Sequence, residues 1–242
     1  MAYEALACDY DGTLAWDGAV AQPTVEALRQ LRDSGRKLVL VTGRRLEDLL
    51  CIFSHLELFE RVVAENGAVL YRPASGEHVF LSAAPPQKFV DLLRQRGVQP
   101  LELGRVIIAT REPQEILVLQ AIRDLGLELQ VIFNKGAVMI LPAGVNKATG
   151  LKHALKELQL SPQQVVAVGD AENDHAFFEF CGFSAAVANA LPGVREHADL
   201  TTDSVNGAGV VELIERILKE DLGEPNPAKH RVAPAVKTAA VG

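Results

Sequence analysis

Short apolar runs alternate with amphipathic segments along most of the chain, and each run stops at a polar turn. The runs Ala5–Cys8, Lys37–Val41 and 62–64 consist mainly of small and branched apolar residues, which is typical of buried strands. Segment 24–32 carries an apolar residue at every third position before Gly35, which predicts a helix. Repeated units of strand, turn and helix indicate a parallel sheet with helices on both faces.

The pattern changes between residues 83 and 141. Helices are predicted there at 85–96 and 113–125, and strands at 106–110, 129–133 and 137–141. The last two strands flank Asn134-Lys135-Gly136, a tight-turn signal that joins antiparallel neighbours. Antiparallel neighbours do not suit a parallel sheet, so we assign this stretch to a small α+β domain inserted into the first. Such an insertion can serve as a lid.

After Gly144 the alternation of strands and helices resumes. Helices are predicted at 146–158 and 209–219, and strands at 165–168 and 185–188. A further helix follows the strand 165–168 and ends at residue 180. The predicted fold is therefore α/β, with a doubly wound, Rossmann-like core of residues 1–82 and 144–222 and an α+β cap at 83–143. Residues 223–242 are rich in Pro and Ala without apolar periodicity, which predicts a disordered tail or a linker to further domains.

Composition narrows the class of protein. The 242 residues carry a formal net charge of -7 and are 48% hydrophobic, without an apolar run long enough to cross a membrane. A negative balance without a basic stripe argues against nucleic acid as a partner. The amino terminus lacks the basic and apolar regions of a signal peptide, so we expect a cytoplasmic protein. Cys8, Cys51 and Cys181 form no metal-binding pair, and we expect them to be reduced and mostly buried.

Several predicted strands deliver polar groups to the same rim of the sheet, where ligands of an open parallel sheet bind. The residues found there are Asp9 and Asp11, Thr42 and Gly43, Asn66, and Asp170 with Asp174. These residues include four carboxylates, which outnumber the nearby cations. A hard divalent ion would offset the repulsion between the carboxylates. Oxygen ligands favour Mg²⁺ over zinc, and the six histidines show no metal-ligand spacing.

The same groups supply the parts that phosphoryl transfer needs. Asp9 can attack phosphorus to form an aspartyl-phosphate. Asp11, when protonated, can donate a proton to the leaving group as a general acid. It can then accept a proton from the attacking water as a general base. Thr42, with backbone amides near Gly43, can hold phosphate oxygens, and Lys147 at a helix start adds a positive charge.

Each of these residues also has a plainer structural interpretation. Thr42 can cap the helix that follows it, and Lys147 can be a solvated helix residue. Asp170 and Asp174 are four residues apart, where the dipole of a helix favours carboxylates near its first turn. Because all of these residues are predicted to lie at one rim of the sheet, the catalytic interpretation is favoured.

Four motifs, in this order along the chain, resemble those of the haloacid dehalogenase superfamily. They are Asp9-Tyr10-Asp11-Gly12-Thr13-Leu14, Thr42-Gly43-Arg44, Lys147 and Gly169-Asp170-Ala171-Glu172-Asn173-Asp174. An insertion between the second and third motifs, together with Glu65-Asn66-Gly67-Ala68, is similar to the Cof-type branch, subfamily IIB. That branch includes sugar-phosphate phosphatases and archaeal-type phosphoglycolate phosphatases.

The resemblance implies a role for each motif residue. Asp9 is implied as the nucleophile and a metal ligand, and Asp11 as a ligand through its backbone carbonyl. Asp170 is implied as a direct ligand of the metal, with Asn173 and Asp174 nearby, directly or through water.

We therefore predict a Mg²⁺-dependent phosphatase that hydrolyses phosphomonoesters of small metabolites through an aspartyl-phosphate on Asp9. Arg44 and Asn66 are predicted to contact the non-reacting part of the substrate. Two alternatives stay open, a phosphotransferase or phosphomutase that uses the same intermediate and a regulatory module of a longer protein. Dehalogenation is disfavoured because that reaction needs no magnesium, which would leave Asp170 unexplained.

Overall fold

The computed structural model describes residues 3–223, which form twelve strands and eight α-helices. The strands are β1 (Ala5–Cys8), β2 (Lys37–Val41), β3 (Arg61–Ala64), β4 (Val69–Arg72), β5 (Glu77–Phe80), β6 (Glu102–Leu103), β7 (Ile108–Arg111), β8 (Leu129–Asn134), β9 (Ala137–Pro142), β10 (Val165–Gly169), β11 (Phe183–Ala186) and β12 (Leu200–Thr201). The helices are α1 (Gln22–Asp33), α2 (Leu46–Ile52), α3 (Gln87–Gln95), α4 (Glu115–Asp124), α5 (Lys147–Leu158), α6 (His175–Phe180), α7 (Pro192–His197) and α8 (Asn206–Leu218).

Eight of these strands form the main sheet, in the order β12-β11-β10-β1-β2-β3-β4-β5. The strands from β12 to β3 are parallel, and β4 and β5 are antiparallel to their neighbours. In the centre, Leu6 of β1 lies opposite both Leu38 of β2 and Val166 of β10. The predicted α/β class is confirmed, and the carboxyl ends of β1, β2, β3 and β10 meet at one rim.

Alternating side chains of the central strands bury both faces of the main sheet. Leu6 belongs to one buried cluster with Leu28 of α1 and Leu213 of α8. Its neighbour Ala7 belongs to a second cluster, which includes Leu151 of α5. Each large apolar side chain buried in this way contributes about 1.5–3 kcal/mol. The packed sheet therefore gives the loops that follow its strands a rigid support.

The hairpin of β4 and β5 is absent from the predicted elements. β5 is exposed along its whole length, so neither an apolar run nor an alternation of apolar and polar residues marks it. Its strand conformation comes from antiparallel pairing with β4. The two-residue strands β6 and β12 and the helix α7 are likewise absent from the prediction, and α8 begins at Asn206 instead of residue 209.

The inserted segment contains a second sheet of four strands, antiparallel throughout, in the order β6-β7-β9-β8. Helices α3 and α4 pack on it, since Phe89 and Val118 share a buried cluster with Ile140 of β9. Lys135 and Gly136 form the turn between β8 and β9, with φ values of 47° and 81°. This sheet with its helices agrees with an α+β cap, whose boundaries at 83 and 143 stay a prediction.

Other expectations concern the membrane, the cysteines and the tail. No helix within residues 3–223 is long and apolar enough to span a membrane. Cys8 and Cys181 are buried, Cys51 is exposed, and all three are free thiols. The predicted tail, 223–242, lies outside the described residues except for Gly223.

Candidate active site

The loops after β1, β2 and β3 begin at the same rim of the main sheet. The backbone N–H of Asp9 donates to the carbonyl of Val168 at 2.9 Å, which extends the pairing of β1 with β10 by one residue. Thr42 likewise donates to the carbonyl of Val63 at 2.8 Å, and Asn66 donates to the carbonyl of Thr42 at 2.9 Å. The residues that follow these strands are therefore still held by the sheet.

Asp9, Asp170 and Asp174 form a buried cluster in which one oxygen of each lies within 4.8 Å of the others. Asp174 Oδ2 accepts the backbone N–H groups of Asp170 (2.8 Å) and Ala171 (2.9 Å), and the Thr13 hydroxyl donates to Asp170 Oδ1 at 2.9 Å. Burial raises the pKa of Asp9 and of Asp170, and repulsion from the neighbouring carboxylates acts in the same direction. The cluster therefore needs positive charge.

Lys147 supplies part of that charge from the first residue of α5. Its Nζ donates to Asp9 Oδ1 at 2.6 Å and to Asp174 Oδ1 at 2.5 Å, and the side chain is buried. Asn146 caps the helix by accepting the backbone N–H of Thr149 at 3.0 Å, which holds Lys147 in place. Burial alone would lower the pKa of Lys147, but the two carboxylates outweigh it and raise the pKa. Lys147 is therefore not a solvated helix residue.

The donor set fits a hard cation such as Mg²⁺. All three clustered side chains offer carboxylate oxygens, the ligands that this ion prefers. Asn173 donates from Nδ2 to Asn66 Oδ1 at 3.0 Å, and its buried Oδ1 has no hydrogen-bond partner within residues 3–223. A buried oxygen left without a partner costs free energy, which a cation or a donor on the substrate would recover.

Asp11 lies apart from the cluster, although the sequence pattern predicts four carboxylates around one centre. Arg44 donates to both of its oxygens, from Nε to Oδ2 at 2.7 Å and from Nη2 to Oδ1 at 2.6 Å. The intervening Tyr10 is buried and donates its hydroxyl to the Gly18 carbonyl at 2.8 Å, so it points away from the carboxylate cluster. The structure thus brings three of the four carboxylates together and pairs the fourth with Arg44. The metal contact predicted for the Asp11 backbone carbonyl stays a prediction.

Thr42, Gly43 and Asn66 stand beside the cluster. Thr42 is buried, and its Oγ1 accepts the backbone N–H of Arg44 at 3.1 Å. The residue at the N-cap position of α2 is Arg45, so Thr42 does not act as the cap of that helix. A Cβ added to Gly43 would lie 3.6 Å from Nδ2 of the site residue Asn173, a contact that places this glycine at the site. The phosphate and substrate contacts predicted for the three residues stay predictions.

Glu65 lies directly after β3, and the sequence pattern predicts no individual role for it. Its buried carboxylate accepts the backbone N–H groups of Arg105 (2.9 Å), Val106 (2.8 Å) and Ile107 (2.9 Å), which belong to the inserted segment. Glu65 therefore ties the cap to the end of β3. A glutamate directly after a buried strand was the available signal, but its partners lie about forty residues away in the sequence.

Lys135, at the turn of the β8–β9 hairpin, is a second residue for which the sequence pattern predicts no role. Its ammonium contacts Asp170 Oδ2, and its backbone N–H donates to Glu172 Oε2 at 3.3 Å. The sequence pattern marks Lys135 only as part of a turn, and nothing in it indicates contact with the rim of the main sheet. The hairpin thus brings a cation of the cap to the carboxylate cluster.

A cavity of about 250 Å³ lies between the core and the cap. Its wall includes Asp9, Asp11 and Arg44 from the core, and Asn134 and Met139 from the cap hairpin. Ligand pockets of enzymes commonly measure about 300–1,000 Å³, so this one suits a small molecule. Asp9 is the member of the carboxylate cluster that reaches the cavity wall.

Comparisons with known proteins place this site in a family. The sequence matches the family described as haloacid dehalogenase-like hydrolase over residues 6–107 and 98–214. It is 30% identical over 223 residues to a phosphoglycolate phosphatase of Methanothermobacter thermautotrophicus, an alignment that covers 88% of this chain and 98% of that protein. Phosphoglycolate phosphatase 2 of Saccharolobus solfataricus is 30% identical over 226 residues, covering 90% and 94% respectively.

Solved structures agree on the fold. A sugar phosphatase of subclass IIB of the same superfamily superposes with a TM-score of 0.74 at 19% identity, covering 88% of this chain and 98% of that one. The resemblance predicted from the four motifs is thus confirmed by sequence and by fold. The chain belongs to the haloacid dehalogenase-like hydrolases.

Proposed function

We propose that this phosphoric monoester hydrolase acts on phosphoglycolate or another small, acidic phosphate ester, with Asp9 as nucleophile and Mg²⁺ as cofactor. Support for the substrate class comes from the phosphoglycolate phosphatases that this chain matches along nearly their whole length. The cavity is small, which suits a small ester. Sugar phosphates are the second class, since the sugar phosphatase shares the fold at lower sequence identity.

One observation carries the choice of nucleophile. Among the three clustered carboxylates, Asp9 alone lines the cavity within the part of the chain that the structure describes. Lys147 holds Oδ1 of Asp9 at 2.6 Å, so we assign the attack on phosphorus to Oδ2. The raised pKa of Lys147 keeps its ammonium protonated, and the orientation of Asp9 is therefore maintained at neutral pH.

The reaction then proceeds in two displacements. Asp9 Oδ2 forms a bond to phosphorus as the bond to the ester oxygen breaks, and Asp11 gives that oxygen a proton. Asp11 next takes a proton from a water molecule whose oxygen attacks the aspartyl-phosphate, which releases phosphate and restores Asp9. Because Arg44 holds both oxygens of Asp11, the Asp11 side chain has to rotate away from Arg44 before it can serve as the acid.

Mg²⁺, when bound, supplies positive charge that offsets the negative charge of the phosphoryl oxygens. The groups that would hold it share oxygen donors, and they are Asp9, Asp170, Asp174, the Asn173 amide and the backbone carbonyl of Asp11. Thr42 and the backbone N–H groups beside Gly43 are assigned to the phosphate oxygens. The cap excludes bulk water from the cavity and selects the leaving group.

The test is phosphate release from a panel that includes phosphoglycolate and hexose phosphates, with and without Mg²⁺. We expect Mg²⁺-dependent turnover with phosphoglycolate preferred, and a loss of at least about 10³-fold in Asp9→Asn. Asp33→Asn is the matched control, since that carboxylate is exposed at the end of α1. Turnover without Mg²⁺, or turnover retained by Asp9→Asn, would overturn the proposal.

A further inference from the structure

The tip of the cap hairpin places a lysine at the entrance to the carboxylate cluster. Lys135 contacts Asp170 Oδ2 through its ammonium, and its side chain is 42% exposed. A Cβ added to Gly12, in the loop after β1, would lie 3.0 Å from the same ammonium. The neighbouring Asn134 and Ala137 line the cavity. The lysine therefore lies beside the loop after β1 and next to two residues that line the cavity.

Lys135 differs from the other cations around the cavity in how firmly it is held. Arg44 makes two hydrogen bonds to Asp11, and Arg45 makes two to Asp48, at 2.6 and 2.8 Å. Lys147 is buried and shared between two carboxylates. Lys135 has a long, half-exposed side chain, and within residues 3–223 its ammonium contacts a single carboxylate.

That single partner is a residue assigned to the cation site. Once Asp170 takes up a divalent cation, its charge is neutralised and the ammonium of Lys135 is repelled from it. Within residues 3–223 Asp170 is the only carboxylate within ion-pair distance of that ammonium, although Glu172 accepts the backbone N–H of Lys135, so the ammonium would then be free to bind another carboxylate. A substrate bound by its phosphate among the strand-end loops would present its leaving group toward the cap.

We propose that Lys135 is a specificity-determining residue that binds a carboxylate on the leaving group of the substrate. The proposal rests on the proposed function, which it deepens by naming the group that recognises an acidic ester. The ammonium would exchange Asp170 for the carboxylate of the substrate when the cation site is filled. A neutral alcohol as leaving group would gain nothing from this contact.

The first experiment compares two esters of similar size, phosphoglycolate and ethylene glycol monophosphate, whose leaving group is neutral. In Lys135→Met we expect kcat/KM to fall by about 10- to 100-fold for phosphoglycolate, the effect of losing one charge-assisted hydrogen bond. The value for the neutral ester should change less than about threefold. Lys135→Arg should retain part of the preference for phosphoglycolate, since it keeps the positive charge.

A matched control is Lys88→Met, which removes one positive charge from an exposed position on α3 of the cap. It should leave both kcat/KM values unchanged. Equal losses on the two esters in Lys135→Met would overturn the proposal, because Lys135 would then act on the phosphate or the cation. A wild type that cleaves neither ester would instead overturn the proposed function itself.

The second experiment needs no turnover and measures Mg²⁺ binding by calorimetry. Lys135→Met should bind Mg²⁺ several-fold more tightly than the wild type, because it removes the ammonium that competes for Asp170. Lys88→Met should bind Mg²⁺ as the wild type does. An unchanged Mg²⁺ affinity in Lys135→Met would contradict the exchange of partners on which the assignment depends.

Discussion

Arg44 and Asp11 face each other across the rim of the sheet, joined by two hydrogen bonds of 2.7 and 2.6 Å. The pair links the loop after β2 to the loop after β1, and it keeps the Asp11 side chain out of the carboxylate cluster. The Asp11 carboxylate pairs with Arg44 because a guanidinium matches both of its oxygens at once. In the proposed reaction the Asp11 side chain therefore has to leave Arg44 before it can reach the ester oxygen.

The assignment of Asp11 as the acid predicts a dependence on the leaving group. Asp11→Asn should lower kcat/KM for an alkyl phosphate by about 10²–10⁴-fold, the usual contribution of general acid catalysis. The loss for p-nitrophenyl phosphate should be much smaller, because that leaving group departs without a proton. Steady-state kinetics on the two esters measures this difference. Equal losses on both would mean that Asp11 serves another purpose, such as holding Arg44.

Lys147 is predicted to be required for the stability of the metal-free fold. Lys147→Met leaves Asp9 and Asp174 buried without their shared cation, which should cost about 3–5 kcal/mol of unfolding free energy. Chemical denaturation in the presence of a chelator measures that cost. Lys152→Met, at an exposed position of the same helix, should change the unfolding free energy by less than about 0.5 kcal/mol. Similar unfolding free energies for the two variants would show that the metal-free fold does not depend on Lys147.

The buried carboxylates predict how the stability of the metal-free protein varies with pH. Because burial and neighbouring carboxylates raise the pKa of Asp9 and Asp170 in the folded state, the folded protein binds more protons than the unfolded chain between the ordinary and the raised pKa. These two groups therefore make the unfolding free energy fall as pH rises through that window. The measurement is denaturation at several pH values in a chelator, for the wild type and Asp170→Asn.

Comparing the wild type with Asp170→Asn isolates the contribution of the Asp170 carboxylate to the unfolding free energy. Asp170→Asn should gain stability relative to the wild type as pH rises, and saturating Mg²⁺ should reverse the order by binding the folded wild type. A difference between the two proteins that does not vary with pH would contradict the raised pKa of Asp170.

Glu65 is predicted to hold the cap against the core. In Glu65→Ala the backbone N–H groups of Arg105, Val106 and Ile107 lose their shared acceptor. Hydrogen exchange at these three amides should accelerate by at least about tenfold, which corresponds to about 1.4 kcal/mol of lost protection. The amides of β1 should exchange as in the wild type. Exchange that stays slow in the variant would show that other contacts hold the cap.

Local pattern was sufficient for the strands that carry the site. Ala5–Cys8 and Lys37–Val41 are apolar runs that end at polar turns, and the structure has strands with those bounds. The alternation of strands and helices predicts a parallel sheet, and the convergence of Asp9 and Asp170 follows because β1 pairs with β10 in that sheet. The edge strand β5 could not be found in this way, because its exposed side chains carry no pattern.

The sequence pattern could not predict which side chains form contacts between the cap and the core. The contact of Lys135 with Asp170 joins residues 35 positions apart in two different units of the fold. It depends on how the hairpin lies over the rim, which no local periodicity encodes. The pairing of Asp11 with Arg44 is similar, since the sequence places both residues at the rim without stating which groups they bind.

The proposed reaction requires that Asp9 carries the phosphoryl group during turnover. The most direct measurement is an acid quench of the enzyme during turnover of phosphoglycolate with Mg²⁺, followed by peptide mass spectrometry. We expect one phosphoryl group on Asp9 in the wild type and none in Asp9→Asn. A phosphoryl group on another residue, or turnover by the Asp9→Asn protein, would show that Asp9 is not the nucleophile.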